Sequence, residues 1–504
     1  NGDENPRRGG MAERNGRNDQ YNENFGRINK HMRVTVTGTG YVGAVTGACL
    51  AYAGHRVTCV DTDARKIAML QAGDIPLYEP YLKELIATAA SAGRIDFTME
   101  LGPAVRESDV IFIAVGTPPM ASGEANLSYL EAVAREIGAS IDDTKFRVIV
   151  NKSTVPVGCG NLVDTLIREG IAESQPGLER RIEFEVASNP EFLREGCAIR
   201  DSLYPDRIVI GTEGTKAMTL LSELYEPVVE QKFDPPEGVP RPANMQRVPL
   251  VTTTLTSAEM IKYASNAFLA TKIGFANEIA NICERVGADA TEVMRGIGLD
   301  SRIGSQFLNA GVGWGGSCFG KDIQSLLHTA HEYGYQSKLL QASLEVNRAQ
   351  RLVVVQKLLE KLYILKGRTV ALLGLAFKPD TDDLRDAPSL TIAEKLLQMG
   401  ARIKAYDPVA MDACRQQHPE LKIQYCVSVD EALQDADAMV LLTEWAEFRT
   451  LDLHKSAQLM SRRVLIDGRN IYDPVLAAAA GFDYSGVGRR VAVAPKARVL
   501  ESVV

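Results

Sequence analysis

The sequence has no stretch of apolar residues close to the roughly 18 that a membrane-spanning helix requires. It also lacks an excess of basic residues, because its formal net charge is -8. These two absences predict a protein that binds neither a membrane nor nucleic acid. What the chain does have is length. Its 504 residues, 45% of them hydrophobic, are sufficient for about two to four domains.

Closely spaced pairs of cysteines are missing as well. The eight cysteines form no C-x-x-C motif and no spacing typical of metal ligands, and the chain shows no secretory signal. This pattern argues against a disulfide scaffold and a cysteine-rich metal site, and it predicts a cytoplasmic protein with reduced thiols and no bound metal. The cysteines are Cys49, Cys59, Cys159, Cys197, Cys283, Cys318, Cys414 and Cys426.

Apolar residues are almost absent from residues 1–31, which are rich in Asn, Gly, Arg, Asp and Glu. A segment with so little apolar surface to bury does not offset the entropy cost of folding. We therefore predict a disordered leader at 1–31, with Met32 as an older start of the chain, and a short tail at 491–504.

A glycine-rich stretch surrounds one cysteine near the middle of the chain. In residues 313–322, three glycines precede Cys318, and Lys321 then stands at the start of a helical pattern that runs to Gly334. Glycines let the backbone approach a ligand closely, and a helix N-terminus and a lysine both favour a thiolate. Two interpretations remain open: a catalytic nucleophile, or a tight turn with a buried, inert cysteine.

Residues 34–61 carry the pattern of a dinucleotide-binding fold. A strand at 34–37 is followed by Gly38-Thr39-Gly40-Tyr41-Val42-Gly43, an apolar helix and a second strand that ends at Asp61. The first glycine allows the turn, the second admits a pyrophosphate to the helix N-terminus, and the third lets the helix approach the sheet. Asp61 would accept hydrogen bonds from the adenosine ribose and repel a 2′-phosphate, which predicts NAD rather than NADP.

Strands and helices continue to alternate to about residue 210, which predicts a doubly wound α/β sheet. Its further strands are predicted at 109–115, 147–150, 184–188 and 207–210. Four polar residues follow the strand ends, at the edge where such sheets bind ligands: Thr117, Thr154, Glu191 and Glu195. Each could instead be a helix cap, but several in one domain favour a ligand site.

Residues 228–249 are rich in proline and predict an exposed loop between domains. The sequence Thr256-Ser257-Ala258-Glu259 then has the form of a capping box for a long helix that ends at Gly287. About thirty residues at 1.5 Å each span ~45 Å, enough to bridge two domains. Lys262 and Asn266 share one face of this helix. Two solvated polar residues are one interpretation, but the small apolar residues beside them predict burial.

A second series of strands and helices follows a connecting helix at 341–365. Its first turn, at residues 374–378, lacks the dinucleotide glycines, so this half is predicted to be Rossmann-like without binding NAD in the usual way. Lys378, Arg385 and Arg469 lie at its strand ends or loops, where they would together suit phosphates, although singly each is a typical surface charge. The strands are predicted near 369–373, 402–406, 422–426, 437–442 and 463–467.

Taken in order, these motifs resemble those of the UDP-glucose 6-dehydrogenases of the UDP-glucose/GDP-mannose dehydrogenase family, over about residues 32–475. Besides the glycine fingerprint, the resemblance is carried by residues 152–156 (Lys-Ser-Thr-Val-Pro), 189–193 (Asn-Pro-Glu-Phe-Leu), 259–266 and 315–322. It implies two Rossmann-like doubly wound domains joined by a helical domain with a long central helix. The implied boundaries are an NAD domain at 32–227, an interdomain loop and dimerisation domain at 228–365, and a nucleotide-sugar domain at 366–490.

The resemblance also implies a reaction, in which the C6 alcohol of a nucleotide sugar is oxidised to a carboxylate with two NAD⁺. Cys318 would form a thiohemiacetal and then a thioester, with the oxyanion stabilised by Lys262 and Asn266. Glu191 and water would hydrolyse the thioester. Asp322 and Thr154 would hold the catalytic water.

Binding residues and a partner follow from the same resemblance. Arg302 matches a position that reaches the substrate of a neighbouring subunit, which implies a homodimer. NAD contacts are implied for Gly38, Gly40, Tyr41, Val42, Gly43, Asp61, Lys66, Thr117, Thr154, Glu195, Lys321 and Arg385. Substrate contacts are implied for Glu191, Phe192, Leu193, Arg194, Lys262, Asn266, Arg302, Phe307, Gly311, Gly315, Lys378 and Arg469.

Several alternatives remain beside UDP-glucose. Trp314 stands where phenylalanine is common in the family and residues 228–249 look inserted, so GDP-mannose and TDP-glucose stay open as substrates. The loop at 189–196 resembles the glucose type, which disfavours an N-acetylhexosamine. A non-catalytic sensor of NAD or nucleotide sugar is disfavoured by the intact Cys318, Lys262 and Asp322. A two-electron hydroxyacid dehydrogenase would need no cysteine.

Overall fold

The computed structural model describes residues 31–120 and 123–489. The predicted leader, except for its last residue, and the predicted tail at 491–504 lie outside these ranges. Within them, no helix combines the length and the apolar character that crossing a membrane would require.

Residues 33–253 build an eight-stranded sheet between two buried clusters of apolar side chains, one on each face. The strands are β1 (Arg33–Thr37), β2 (Arg56–Val60), β3 (Ile95–Thr98), β4 (Val110–Ile113), β5 (Arg147–Asn151), β6 (Phe184–Ser188), β7 (Ile208–Thr212) and β8 (Leu250–Thr253). The helices are α1 (Tyr41–Tyr52), α2 (Ala64–Gln71), α3 (Leu82–Ser91), α4 (Leu101–Glu107), α5 (Ser128–Ser140), α6 (Cys159–Ser174), α7 (Ala198–Leu203) and α8 (Thr215–Val229). The order β3-β2-β1-β4-β5-β6-β7-β8 reverses beside β1, which opens a crevice at the carboxyl ends of the strands.

The middle of the chain is helical. Its longest helix has 32 residues, about 48 Å at 1.5 Å per residue, and it ends at Gly287, whose φ of +83° suits glycine. Lys262 and Asn266 lie on its buried face with only 4% and 7% of their surface exposed, so the predicted burial is confirmed. The helices are α9 (Leu255–Val286), α10 (Ala290–Gly298), α11 (Phe319–Glu332) and α12 (Lys338–Leu362).

The last part of the chain forms a six-stranded parallel sheet around a large apolar core. Its strands are β9 (Thr369–Leu373), β10 (Arg402–Tyr406), β11 (Ile423–Tyr425), β12 (Ala438–Leu441), β13 (Val464–Asp467) and β14 (Asp483–Gly486), in the order β11-β10-β9-β12-β13-β14. Its helices are α13 (Pro388–Gln398), α14 (Met411–Gln417), α15 (Val429–Leu433), α16 (Ala446–Arg449), α17 (Leu453–Leu459) and α18 (Pro474–Ala479). The predicted fold class, two Rossmann-like sheets joined by helices, is confirmed.

Three strands were not predicted from the sequence, because each is short and lies at a sheet edge: β3, β8 and β14. Such strands have few buried positions and therefore a weak apolar pattern. The first sheet is also not wholly parallel, since β7 runs antiparallel to β6. The segment 228–249 is not simply an exposed loop, because Val239 and Val248 are buried in the core of the first sheet.

The start of α9 differs from the predicted capping box. Its N-cap is Thr254, whose hydroxyl accepts from the Ser257 amide at 3.2 Å. Glu259 is buried and instead accepts from the backbone N–H groups of Gly158 at 2.7 Å and Gly160 at 2.8 Å. Since no side chain caps the N-terminus of α6 from within its own segment, Glu259 performs that role from another helix.

We expect Glu259→Gln to lower the free energy of unfolding by about 1–3 kcal/mol, because a glutamine has only one side-chain oxygen and leaves one buried N–H without an acceptor. Chemical denaturation of the purified protein measures the loss. Glu173→Gln, at an exposed position near the other end of α6, is the matched control and should change stability by less than about 0.5 kcal/mol. Equal stabilities of the two variants would contradict this capping role.

Candidate active site

The glycines of the stretch 313–322 let it approach another part of the chain. Gly313 and Gly316 have φ of +94° and +87°, which favour glycine. A Cβ at Gly315 would overlap the carbonyl oxygen of Asp386, just ahead of α13. From the sequence alone, these glycines are predicted to serve close approach of a ligand. In the structure they serve close approach to the protein's own backbone, which places Cys318 beside the C-terminal half.

Helix α12 holds this stretch from the other side. Asn347 accepts from the Trp314 amide at 2.8 Å and donates to the Trp314 carbonyl at 3.0 Å. Arg351 donates to the same carbonyl at 3.0 Å and pairs with both carboxylate oxygens of Asp386, at 2.7 and 2.8 Å. Two side chains of one helix thus fix the loop and its docking partner together.

Cys318 is the N-cap residue of α11 and is open to solvent. The protein atoms crowded around its sulfur nevertheless raise the pKa of the thiol, and the carboxylate of Glu191 raises it further, while Lys262 lowers it. The predicted thiolate stabilised by Lys321 is therefore wrong for this state, because Lys321 Nζ lies 2.8 Å from an oxygen of Asp322 instead. Lys262, which does lower the pKa of the thiol, comes from α9.

Lys262 forms a buried ion pair with Glu191, with 3.0 Å between Nζ and Oε1. Burial lowers the pKa of Lys262, but Glu191, Cys318 and Asp322 outweigh it, so the net effect is a raised pKa. The amine therefore stays protonated. A fixed, buried ammonium group near Cys318 can stabilise negative charge that develops on a bound substrate.

Asn266 and Asp322 join α9 to α11. Asn266 donates to Asp322 Oδ2 at 2.6 Å, and Lys321 donates to Oδ1 at 2.8 Å. Five of the six predicted catalytic residues thus converge from the loop after β6, from α9 and from α11. The sixth, Thr154, is joined among the described residues to Thr117, whose hydroxyl donates to its carbonyl at 2.8 Å, and not to Asp322.

The glycine fingerprint has the geometry of a dinucleotide site. Gly38 has a φ of +90°, and a Cβ at Gly43 would overlap the Gly38 carbonyl oxygen. Gly40 is the N-cap of α1, has open space where a Cβ would stand, and provides no side-chain cap for the helix. The helix N-terminus therefore presents backbone N–H groups to a space that suits a pyrophosphate.

Asp61 closes the far end of this site at the end of β2. Its Oδ2 accepts from the Thr39 amide at 2.7 Å and from the Thr39 hydroxyl at 2.8 Å. Burial raises the pKa of Asp61, but the backbone N–H groups of Asp63 and Thr39 outweigh it and leave the pKa lowered. Lys66 Nζ approaches to 4.0 Å. The ionised carboxylate is thus held at the position predicted to contact a ribose.

Sequence reasoning missed Glu79, which joins the fingerprint to the loop after β6. The Tyr41 hydroxyl donates to Glu79, and the two Glu79 oxygens accept from the amides of Gly196 at 2.6 Å and Ala198 at 2.7 Å. Glu79 lies in a loop without a recognisable motif, so no local signal marks it. It is found only because the fold brings these segments together.

Two of the three predicted phosphate-binding cations meet at Glu195. Arg385 contacts Glu195 at 2.8 Å and Asp383 at 2.8 Å, and Lys378 donates to the Glu195 carbonyl. Burial and the Asp383 carboxylate raise the pKa of Glu195 to about 7. Arg469 has a different carboxylate partner, Glu444 at 3.1 Å, and donates to the carbonyl of Phe377, the residue before Lys378, at 3.2 Å. The three cations therefore do not share one acidic partner.

Three segments of the chain match the sequence models of a known family. Residues 32–229 match the NAD binding domain of the UDP-glucose/GDP-mannose dehydrogenase family, residues 256–349 its central domain and residues 371–474 its UDP binding domain. The chain belongs to the UDP-glucose/GDP-mannose dehydrogenase family. The predicted resemblance is confirmed, NAD is the cofactor, and the protein is an NAD-dependent oxidoreductase with a nucleotide sugar as its small-molecule ligand.

Individual relatives agree with this assignment. The chain is 46% identical to UDP-glucose 6-dehydrogenase TuaD of Bacillus subtilis, over 91% of this chain and 93% of that protein. It is 44% identical to a UDP-glucose 6-dehydrogenase of Pseudomonas aeruginosa, over 91% of this chain and 98% of that protein. The solved UDP-glucose dehydrogenase of Pyrobaculum islandicum superimposes with a TM-score of 0.80 at 37% identity, over 92% of this chain and 100% of that one.

A cavity of about 290 Å³ lies between the central helices and the C-terminal half of this family member. Of the predicted substrate residues, Arg469 lines it, and the neighbouring Gly311 is held by Asn277 and Gln350 at 2.8 and 2.7 Å. Its other lining residues were not predicted, because they lie on separate segments of the chain: Ala290, Thr291, Met294, Arg295, Ser305, Leu308, Asn309, Ala310 and Asn470.

The remaining predicted substrate residues fall into two groups. Phe192 lies in the site, with Lys262 Nζ 5.4 Å from the centre of its ring, and the Leu193 amide donates to Glu191 at 3.0 Å. The ring of Phe307 lies near the start of α11, tilted by 59° to the ring of Phe319, with 6.5 Å between the ring centres. Arg194 and Arg302 are exposed and are paired with Asp201 and Asp300, respectively.

We expect NAD⁺ to be preferred over NADP⁺ and Asp61→Asn to reduce that preference at least roughly tenfold, because removal of the carboxylate removes its repulsion of a 2′-phosphate. The measurement is the ratio of kcat/KM for the two cofactors. Asp63→Asn is the control, since it changes a nearby N-cap without removing this charge. A ratio that Asp61→Asn leaves unchanged would place the discrimination elsewhere.

Proposed function

We propose that this protein oxidises the C6 alcohol of UDP-glucose to the carboxylate of UDP-glucuronate. The proposal rests chiefly on the convergence of Cys318, Lys262, Asn266, Asp322 and Glu191 at one point between the NAD domain and the C-terminal half. A simple alcohol dehydrogenase needs no nucleophilic cysteine, whereas oxidation to an acid through a covalent intermediate does. The named relatives, which are UDP-glucose 6-dehydrogenases, support the choice of substrate.

In the proposed mechanism, two NAD⁺ molecules, bound one after the other, would each supply the hydride acceptor for one of the two oxidations. Lys262, protonated and buried, stabilises the oxygen of C6 as negative charge develops there, while water held near Asp322 takes the hydroxyl proton. Asn266 orients Asp322 through their 2.6 Å hydrogen bond and presents its amide to the same region. The product of the first oxidation is an aldehyde.

Cys318 then attacks the aldehyde carbon, which forms a C–S bond and a thiohemiacetal. Because the pKa of the thiol is raised before substrate binds, its proton must leave during the attack and is taken up by the aldehyde oxygen, whose developing negative charge Lys262 stabilises. Loss of a second hydride, together with the proton of the thiohemiacetal hydroxyl, gives a thioester. Glu191 takes a proton from water, the water oxygen bonds to the carbonyl carbon, and the Cys318 thiolate leaves.

The nucleotide is proposed to extend from this point over the C-terminal half. The cavity lined by Arg469, Asn309 and Asn470 has the concave shape and the few polar groups typical of a small-molecule site. Lys378 donates to the carbonyl of Glu195, in the same loop as the catalytic Glu191. From this position its ammonium group is proposed to bind a phosphate of the diphosphate. GDP-mannose and TDP-glucose share this chemistry and remain the alternative substrates.

The function is tested by supplying NAD⁺ with UDP-glucose, TDP-glucose, GDP-mannose or UDP-N-acetylmannosamine and measuring NADH and sugar acid. UDP-glucose should give two NADH per sugar. Cys318→Ala should lower the steady-state yield of acid by several orders of magnitude, because the thioester cannot form. Ordinary binding of NAD⁺ and nucleotide sugar by that variant controls for folding. Near-normal turnover with two NADH per sugar would contradict the covalent mechanism.

We also propose that the active form is a homodimer built on α9. Four apolar side chains of this helix are exposed by 48–72%: Phe268, Phe275, Ile282 and Val286. Spacings of 7, 7 and 4 residues put them in one stripe, roughly opposite to Lys262 and Asn266. A second copy with the same stripe would cover it around a two-fold axis. Arg302, with 87% of its side chain exposed, is then free to reach the neighbouring substrate.

We expect Phe275→Asp, at the middle of the stripe, to shift the protein from dimer to monomer, because a charge there opposes burial of both stripes. Light scattering after size exclusion measures the mass. Val427→Asp, at an exposed apolar position on the C-terminal half, should leave the dimer intact. A wild-type monomer, or a dimeric Phe275→Asp variant, would contradict the assignment.

All eight cysteines are free of disulfides in the structure. Together with the nucleophilic role proposed for Cys318, which requires a reduced sulfur, this supports the proposal that the protein acts in the cytoplasm.

A further inference from the structure

A second lysine lies behind the loop that carries Glu191. Lys152 follows the end of β5 and is buried, with 9% of its surface exposed. Its Nζ donates to Asn189 Oδ1 at 2.9 Å and lies 3.5 Å from the Tyr225 hydroxyl. Tyr225 donates to the same Asn189 oxygen at 2.5 Å. The amine is thus fixed to Asn189, which lies two residues before Glu191 in the same loop.

Lys152 is an unusual cation, because no carboxylate among the described residues lies within 4.0 Å of its Nζ to neutralise it. It lines a cavity of about 70 Å³ that Glu191 lines as well. This volume is enough for a few water molecules. Burial of an unpaired ammonium group is costly. A negatively charged group across the cavity would offset part of this cost.

The other groups around Lys152 do not supply that charge. Cys49 of α1 is neutral, because burial raises the pKa of its thiol to about 12, and burial also raises the pKa of Tyr225 of α8. Of the remaining charged groups in the cavity wall, Asp201 of α7 pairs with Arg194, and the Arg207 guanidinium stacks 3.8 Å from the ring centre of Phe192. Among the acidic groups that line the cavity, Glu191 is therefore the one left to balance the charge of Lys152. Glu191 also pairs with a second cation, Lys262 of α9.

We propose that Lys152 is a positioning residue that serves as the reserve counter-ion of Glu191. While the ammonium group of Lys262 pairs with Glu191 at 3.0 Å, it cannot fully stabilise negative charge on the substrate oxygen. When Lys262 turns to that oxygen, Glu191 would be left as a buried, unpaired carboxylate, which is costly. The positive charge of Lys152 then stabilises the carboxylate of Glu191 across the cavity, so that Lys262 can leave Glu191 and contact the substrate. This inference rests on the roles proposed above for Glu191 and Lys262.

The charge state of Lys152 gives the inference a distinctive pH dependence. Burial lowers the pKa of Lys152, Glu191 opposes this shift and Lys262 adds to it, with a net pKa of about 8. Because this pKa lies below the usual lysine value, Lys152 is charged below about pH 8 and loses its charge as the pH rises through that value. Its contribution to the rate should therefore be present below pH 8 and lost above it.

The test compares wild type, Lys152→Met, Lys152→Arg and Tyr225→Phe, each saturated with NAD⁺ and whichever nucleotide sugar the wild type oxidises. At pH 7 we expect Lys152→Met to lower kcat about 10- to 100-fold, less than loss of a general base, with KM nearly unchanged. The ratio of its kcat to that of wild type should rise toward one above pH 8. Lys152→Arg, which keeps its charge at every pH, should retain most of the activity at pH 7 and lose none of it above pH 8.

Tyr225→Phe is the matched control, since it removes a hydrogen bond to Asn189 without removing a charge. It should keep the wild-type pH dependence. A purely structural role for Lys152 predicts that the Met and Arg variants are impaired equally at every pH, and that result would overturn the inference. If Lys152→Met does not fold, the pH profiles of Lys152→Arg and wild type decide, and identical profiles would count against it. Failure of the proposed substrate would be visible in the wild type alone.

Discussion

Three polar side chains along one face of α9 hold the active site together. Glu259, Lys262 and Asn266 follow one another at spacings of three and four residues, which places them on adjacent turns of the same face. Each is buried and each contacts a different segment: the N-terminus of α6, Glu191 after β6, and Asp322 of α11. Since buried polar groups without partners are costly, the three segments are constrained to meet at this helix.

This constraint explains how residues from distant parts of the chain form one site. The sheet of the NAD domain brings Glu191 to the carboxyl edge of its strands. The glycine-rich stretch brings Cys318 to the same place because α12 and the turn before α13 hold its backbone. Neither half of the chain contains the whole site. A rigid helix about 48 Å long is a suitable support, because side chains on helices are positioned more firmly than those on loops.

The balance of charge in the site favours a neutral thiol until substrate arrives. Burial, Glu191 and Asp322 oppose ionisation of Cys318, whereas Lys262 and a hydrogen bond with Ser317 favour it. Since the two lysines of the site are already engaged, Lys262 by Glu191 and Lys321 by Asp322, the site has little capacity for a further anion. Stabilisation of any developing negative charge therefore depends on whether Lys262 contacts the substrate or Glu191. For this reason a second buried cation near Glu191, Lys152, would affect the reaction.

The sequence by itself determined the local features of this protein. Its alternating patterns identified most strands, its glycine fingerprint predicted the NAD site, and Lys262 and Asn266 could be assigned to a buried face, because periodicity and backbone conformation are local properties. The tertiary structure alone decided which groups meet. It paired Lys321 with Asp322 rather than with Cys318, moved Glu259 from its own helix to the end of α6, and brought Glu79 and Lys152 to the active-site loops. Such pairings depend on distances between segments that lie far apart in the chain. No local pattern encodes those distances.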